Sequence, residues 1–209
     1  GNMLAPCFTR GVRILTDAGE RAIEDLRAGD LVLTRDRGLQ PIRWIGSARL
    51  TAAALARNPA MRPVRIRAHA LGRGLPATDL VVSPQHRVLV RSKVARTMFG
   101  ADEVLVAAKQ LLQIDGIDLA DDLHEVEYFH MLFDRHEVVV SNGAETESLY
   151  PGPEALRSVG RAALDEILAL FPELRALTQA PVSARLMPSG RQSRKLAVRH
   201  LQHGRPLVS

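Results

Sequence analysis

The chain has 209 residues, a formal net charge of +5, 46% hydrophobic and 24% charged side chains, and a single cysteine. One thiol excludes an intramolecular disulfide and any zinc site built on several cysteines, and no apolar run approaches the roughly 20 residues of a membrane-spanning helix. The charge admits a nucleic-acid patch, but aromatics are only 4% and no finger or helix-turn-helix motif is present; a solvated arginine-rich surface is the simpler reading, and no nucleic-acid partner is expected.

In chain order, Gly1-Asn2 reads as a remnant of foreign origin, and residues 1–6 as an upstream flank. Short runs rich in β-branched residues follow, with Gly, Pro and Asp between them, and they predict strands. They are VRILT (12–16), DLVLT (30–34), PIRWIG (41–46), PVRIRA (63–68), DLVVS (79–83) and HRVLVR (86–91). EVLVAAKQLL (103–112) starts as a strand and turns helical at Ala107; VEYFHMLF (126–133) and HEVVVSNG (136–143) complete the set. This pattern predicts an all-β barrel or folded-over β structure over residues 7–150. YPGP (150–153) breaks it, and apolar residues at helical spacing predict one helix over 154–171. Residues 173–179 extend it as a short second piece, giving a helical extension over 151–180. Residues 181–209 read as a basic C-terminal tail, with His200 and His203 in solvent.

Chemistry centres on APCFTRG (5–11). The bland reading of Cys7 is a small buried apolar residue. Its place after Pro6, just ahead of the first strand, favours another. A thiol there can attack the Pro6 carbonyl and turn the Pro6–Cys7 peptide into a thioester, given an acid for the departing nitrogen. His86 is either a satisfied core histidine or that proton donor. Ser83, three residues earlier at a strand bend, can aim at the same spot.

Three blocks together resemble the Hint (hedgehog/intein) family, in particular its bacterial intein-like and hedgehog-like autoprocessing members. They are CFTRGVRILTDAGERAIEDLRAGDLVLTRD (7–36), DLVVSPQHRVLV (79–90) and EYFHMLFDRHEVVVSNG (127–143). The resemblance implies an all-β, pseudo-symmetric horseshoe. It implies Cys7 as nucleophile, His86 holding and protonating the Cys7 amide nitrogen, and Ser83, in the family's threonine position, bonding in the same pocket. Inteins carry an Asp directly after the late-block Tyr; here that position is Phe129, and His130 is the candidate substitute proton carrier. Splicing also needs a C-terminal His-Asn. The matching positions are Glu147-Ser148, neither of which can cyclise that way, so full splicing is not expected.

The implied function is therefore a single-turnover N-to-S acyl shift at Pro6–Cys7. It ends in cleavage, or in transfer of the upstream polypeptide to water, a thiol or an amine, and no cofactor is needed. The resemblance further implies an upstream segment that is secreted or surface-associated. The competing expectation is a degenerate Hint fold serving as a structural or binding module, with helix 154–171 packed on a partner. The remaining polar residues take plainer roles. His124, Glu125, Glu127 and His130 are not expected to bind metal. His136 is read as structural, Trp44 and Phe8 as core, Asp30 as a turn residue bonding backbone N–H groups, and Asn142-Gly143 as the turn of the late block.

Overall fold

The structure is a computed structural model that describes residues 5–176 and 181–209. Residues 1–4 of the expected flank, and 177–179 of the expected second helical piece, lie outside the described residues.

The strands are β1 (Phe8–Thr9), β2 (Arg13–Thr16), β3 (Gly19–Ala22), β4 (Leu31–Thr34), β5 (Gly38–Pro41), β6 (Trp44–Leu50), β7 (Val64–Ile66), β8 (Leu80–Val82), β9 (Arg87–Arg91), β10 (Glu103–Ala107), β11 (Ile117–Leu119), β12 (Val126–Leu132), β13 (Val138–Ser141) and β14 (Ala144–Glu147). The helices are α1 (Ala52–Arg57), α2 (Lys93–Phe99), α3 (Pro153–Ser158), α4 (Arg161–Leu170) and α5 (Gly190–Gln202). One sheet runs β11-β7-β8-β1-β12-β6 and the other β10-β9-β14-β13-β2-β4-β5, with β3 beside β2. The fold is thus all-β, as expected, with helices gathered mostly at the C-terminal end.

The chain crosses from one sheet to the other three times near the site, at β1–β2, β8–β9 and β12–β13. Both sheets turn apolar faces inward. Phe8, Ile66 and Val82 of the first meet Ile14, Val32, Val88 and Val139 of the second in one cluster, all at most 1% exposed. In β12 the side-chain alternation divides the strand. Phe129 and Met131 enter this main core, whereas Val126 and Tyr128 face a smaller cluster that holds Cys7.

Local chemistry explains the turns. Asn142 and Gly143 have φ of +47° and +85°, the paired left-handed conformation that closes a two-residue hairpin. The Asp30 carboxylate accepts the Arg27 N–H at 2.8 Å, as expected of a turn aspartate. Strands β3 (GERA) and β5 (GLQP) carry no β-branched residue. They pair as hairpin returns of β2 and β4, so tertiary pairing creates them where propensity is silent.

Two expectations are corrected. The single helix over 154–171 is two helices, α3 and α4, because Gly160 takes φ +93° between them; an L-residue helix cannot pass through that conformation. The tail is also not a solvated strand of charge. Ser189 and Gln192 form a capping box that starts α5. Leu196, Ala197 and His200 are at most 1% exposed, and α5 packs on α2 and the turn at Ala108–Leu111. The His200 ring is therefore buried, bonded to Ser92 Oγ at 2.9 Å, while His203 is exposed as expected.

Candidate active site

The register of the first sheet builds the site. Phe8 pairs with Val82 of β8 on one side and with Phe129 of β12 on the other. One residue back along the antiparallel register, Cys7 therefore stands level with Ser83 and with His130. His130 in turn pairs with Gly46 of β6. Residues on one level of neighbouring strands point to the same face, so Ser83, Cys7 and His130 converge although 76 and 123 positions separate Cys7 from its partners.

Cys7 Sγ lies 3.3 Å from His130 Nδ1 and 2.8 Å from the Ala5 carbonyl oxygen. The same Nδ1 is 3.2 Å from the Pro6 carbonyl oxygen, the acyl oxygen of the Pro6–Cys7 bond. The amide N–H of that bond donates to Ser83 Oγ at 2.9 Å, and the Ser83 hydroxyl donates to Ala5 O at 3.3 Å. Ser83 N–H closes the frame by donating to Cys7 O at 3.0 Å. A single imidazole nitrogen thus touches both the thiol and the carbonyl it would attack, and a hydroxyl holds the nitrogen that would leave.

Ser83 and His86 sit at the two ends of a reverse turn, closed by His86 N–H to Ser83 O at 3.0 Å, with Pro84 at its second position. This turn carries the chain from the first sheet to the second. The expected contact of His86 with the Cys7 amide nitrogen is taken by Ser83 instead. The His86 ring lies against Phe8, 4.4 Å between centroids. Among the described residues neither of its ring nitrogens has a hydrogen-bond partner of ordinary geometry, although both are buried.

Burial governs the protonation of the site. It pushes the Cys7 thiol well above its ordinary value, and the Ser83 hydrogen bond pulls back only in part. It pushes His130 down to about 4, with the Pro6 carbonyl opposing. It pushes His86 down to about 4 as well, opposed chiefly by the negative Glu147. At neutral pH the resting site therefore holds a protonated thiol against a neutral His130 imidazole, poised to accept a proton rather than to give one, and the His86 ring is neutral as well.

His136 has the structural role expected of it. Its Nε2 meets Glu147 Oε1 at 2.9 Å, and its Nδ1 accepts Ala184 N–H at 3.0 Å. Glu147 is fully buried and also takes Arg87 through both its backbone N–H and its guanidinium. Among the described residues no cluster of His, Cys, Asp and Glu is arranged to hold a metal ion.

The Hint-domain family model matches residues 6–153. The chain belongs to the Hint-domain family. No curated protein sequence matches it. Among solved structures, this Hint domain is similar to a bacterial intein-like domain from Clostridium thermocellum, with 16% identity and a TM-score of 0.45 over 70% of this chain and 99% of that one. It is also similar to a DnaB intein from Synechocystis sp. PCC 6803, with 10% identity and a TM-score of 0.42 over 68% and 98%. The MchDnaB-1 intein aligns with 12% identity and a TM-score of 0.47 over 68% and 98%. Autoprocessing or splicing-type activity is what a Hint fold suggests.

Sequence reasoning took Trp44 as a core residue and passed over Glu166. Trp44 is buried, but its ring stacks beside His130, 6.3 Å between centroids at 29°. Its indole N–H donates to Glu166 Oε2 at 2.8 Å. The one signal in the sequence was Gly46, two residues after the only tryptophan. A Cβ at Gly46 would stand 2.5 Å from the Trp44 ring.

Proposed function

We propose that this Hint domain performs an N-to-S acyl shift at the Pro6–Cys7 bond and releases or transfers the polypeptide upstream of Cys7, without full splicing. The observation that carries the reading is His130 Nδ1 within 3.3 Å of the thiol sulfur and 3.2 Å of the Pro6 oxygen. Cys7 Sγ attacks the Pro6 carbonyl carbon, and its proton passes to neutral His130. The protonated Nδ1 then donates to the oxyanion forming on Pro6, where a charged hydrogen bond counts most. When the C–N bond breaks, the nitrogen of Cys7 gains one proton and becomes a free amine. Ser83 Oγ is the group in contact with that nitrogen, and the proton the nitrogen gains balances the one His130 takes from the thiol. Overall one S–H is exchanged for one N–H, and a thioester replaces the amide. Water, a thiol or an amine resolves it.

Glu147 and Ser148 support a reaction confined to this junction. Neither side chain can cyclise as an asparagine does. Glu147 is committed to Arg87 and His136, and Ser148 Oγ to the Glu137 N–H. The departure of Phe129 from the intein aspartate fits as well. Its ring faces the main core, and the next residue, His130, supplies the proton acceptor on the Cys7 side.

The test is a fusion with a reporter protein ahead of Ala5-Pro6-Cys7, followed by intact mass spectrometry with and without dithiothreitol or hydroxylamine. Release of the reporter, carrying a hydroxamate when hydroxylamine is present, is expected from the parent. It should be absent in Cys7→Ala and at least about a hundredfold slower in His130→Ala, the usual scale of a lost proton carrier. No release from the folded parent under any nucleophile would overturn the reading and leave a Hint scaffold whose role is binding.

A further inference from the structure

Among the described residues the His130 ring nitrogens contact only Cys7 Sγ and the Pro6 oxygen. The residue sits mid-strand in β12, and these contacts lie on the reacting atoms themselves. A proton carrier held only by its substrate would wander among rotamers, and misplacement by even about 1 Å is costly in rate. What braces the ring is Trp44, on the neighbouring strand β6. The register sets Trp44 opposite Leu132 and Gly46 opposite His130. Because Gly46 lacks a side chain, the indole folds back across its level and reaches His130. Any Cβ there would collide with the ring at 2.5 Å.

The indole is pinned from the far side by α4. Glu166 Oε2 takes its N–H at 2.8 Å. Ile167 and Phe171 pack with Trp44, Leu132 and Ala5 in one cluster. The same cluster therefore holds the indole behind His130 and the residue whose carbonyl contacts the thiol. The family match ends at residue 153, and α4 begins at Arg161. The helix that pins the indole therefore lies outside the part of the chain that the family model covers, whereas Trp44 lies inside it.

We propose that α4 completes the catalytic site, with Trp44 and Glu166 as positioning residues that hold the His130 ring against Cys7 and Pro6. The inference rests on the autoprocessing reading above for its rate measurement, but not for its second readout. In the reporter fusion, Glu166→Ala removes the anchor of the indole N–H and should slow release at least about tenfold, the scale seen when a supporting hydrogen bond behind a reactive ligand is lost. Glu166→Gln keeps an acceptor oxygen and should retain most of the parent rate. Trp44→Phe loses the N–H and should behave like Glu166→Ala. Asp165→Ala changes the exposed neighbour on the same helix and should match the parent, which separates positioning from general loosening of α4.

The second readout is the titration of the His130 imidazole by NMR in the folded protein. Burial holds it near 4 in the parent. Glu166→Ala frees the indole that lies beside the ring, so the His130 titration should move upward toward its ordinary 6.5, whereas Glu166→Gln should not move it. If the parent fusion never releases its reporter, the autoprocessing reading fails, yet this titration still decides the brace. An unchanged His130 titration in folded Glu166→Ala overturns the inference. So does a Glu166→Ala release rate equal to that of an active parent.

Discussion

Acidification from pH 7.5 to 5 should remove a large part of this protein's stability, through the two site histidines. His86 and His130 are 1% and 5% exposed, and burial holds each near 4 against an ordinary 6.5. The folded value lies below the unfolded one, so between 6.5 and about 4 the unfolded chain binds more protons. Stability is therefore complete above 6.5 and falls as the pH drops through this window. At about 1.4 kcal/mol per pH unit, the full fall is worth about 3 kcal/mol for each ring, and about 2 kcal/mol of it is lost by pH 5. Both rings together then give about 4 kcal/mol, against the roughly 5–15 kcal/mol that holds a typical domain. The assay is urea unfolding at pH 7.5, 6.5, 5.5 and 5.0 for the parent and for His86→Leu, which replaces a buried imidazole with an apolar side chain. The parent should lose about 2 kcal/mol more stability over this range than the variant, the contribution of one ring. A parent midpoint that does not move between pH 7.5 and 5, or a His86→Leu slope equal to the parent's, would refute the burial argument.

Other substitutions probe the rest of the frame. Ser83→Ala leaves the buried Cys7 N–H without its acceptor; it should cost about 1–3 kcal/mol in urea unfolding and slow reporter release, and an unchanged midpoint would contradict the bond drawn from Cys7 to Ser83. Glu147→Ala leaves the Arg87 guanidinium and the His136 ring without their shared buried carboxylate, with an expected loss of about 3–5 kcal/mol. A loss below about 1 kcal/mol by the same measurement would show that water or a rearranged side chain replaces that carboxylate. Native Cys7, fully buried and with its thiol pushed upward by that burial, should resist iodoacetamide at pH 7.5 and react once urea unfolds the chain. Rapid labelling of the folded protein, read by mass spectrometry, would mean that the site opens far more often than its packing implies.

Much of the fold was legible in the chain. The short β-branched runs from Val12 to Gly143 became β2, β4, β6–β10, β12 and β13, because branched side chains between turn residues favour extended, pleated backbone. EVLVAAKQLL did change from strand to helical turn at Ala107–Ala108. The Ser83-Pro84-Gln85-His86 spacing was rightly read as a bend, since proline presets the second turn position. Other features left no local trace. The strands β3 and β5 have no strand-forming composition, and the packed helix α5 was hidden behind its basic residues, whose charged ends reach solvent while Leu196 and Ala197 go inward.

The site divides along the same line. The sequence by itself determined which groups were available: one thiol after a proline, a hydroxyl and an imidazole three apart, and a second imidazole on the Tyr128 face of a strand. It also determined that Glu147-Ser148 cannot cyclise. Tertiary structure alone decided which of them meet. Antiparallel register set Ser83, Cys7 and His130 on one level, gave the amide nitrogen to Ser83 rather than His86, and put the His86 ring against Phe8. It also brought Glu166 to Trp44 across 122 residues. Periodicity and turn chemistry act over a few residues and can be read locally. Register and packing depend on the whole chain closing around one core, and no local pattern encodes them.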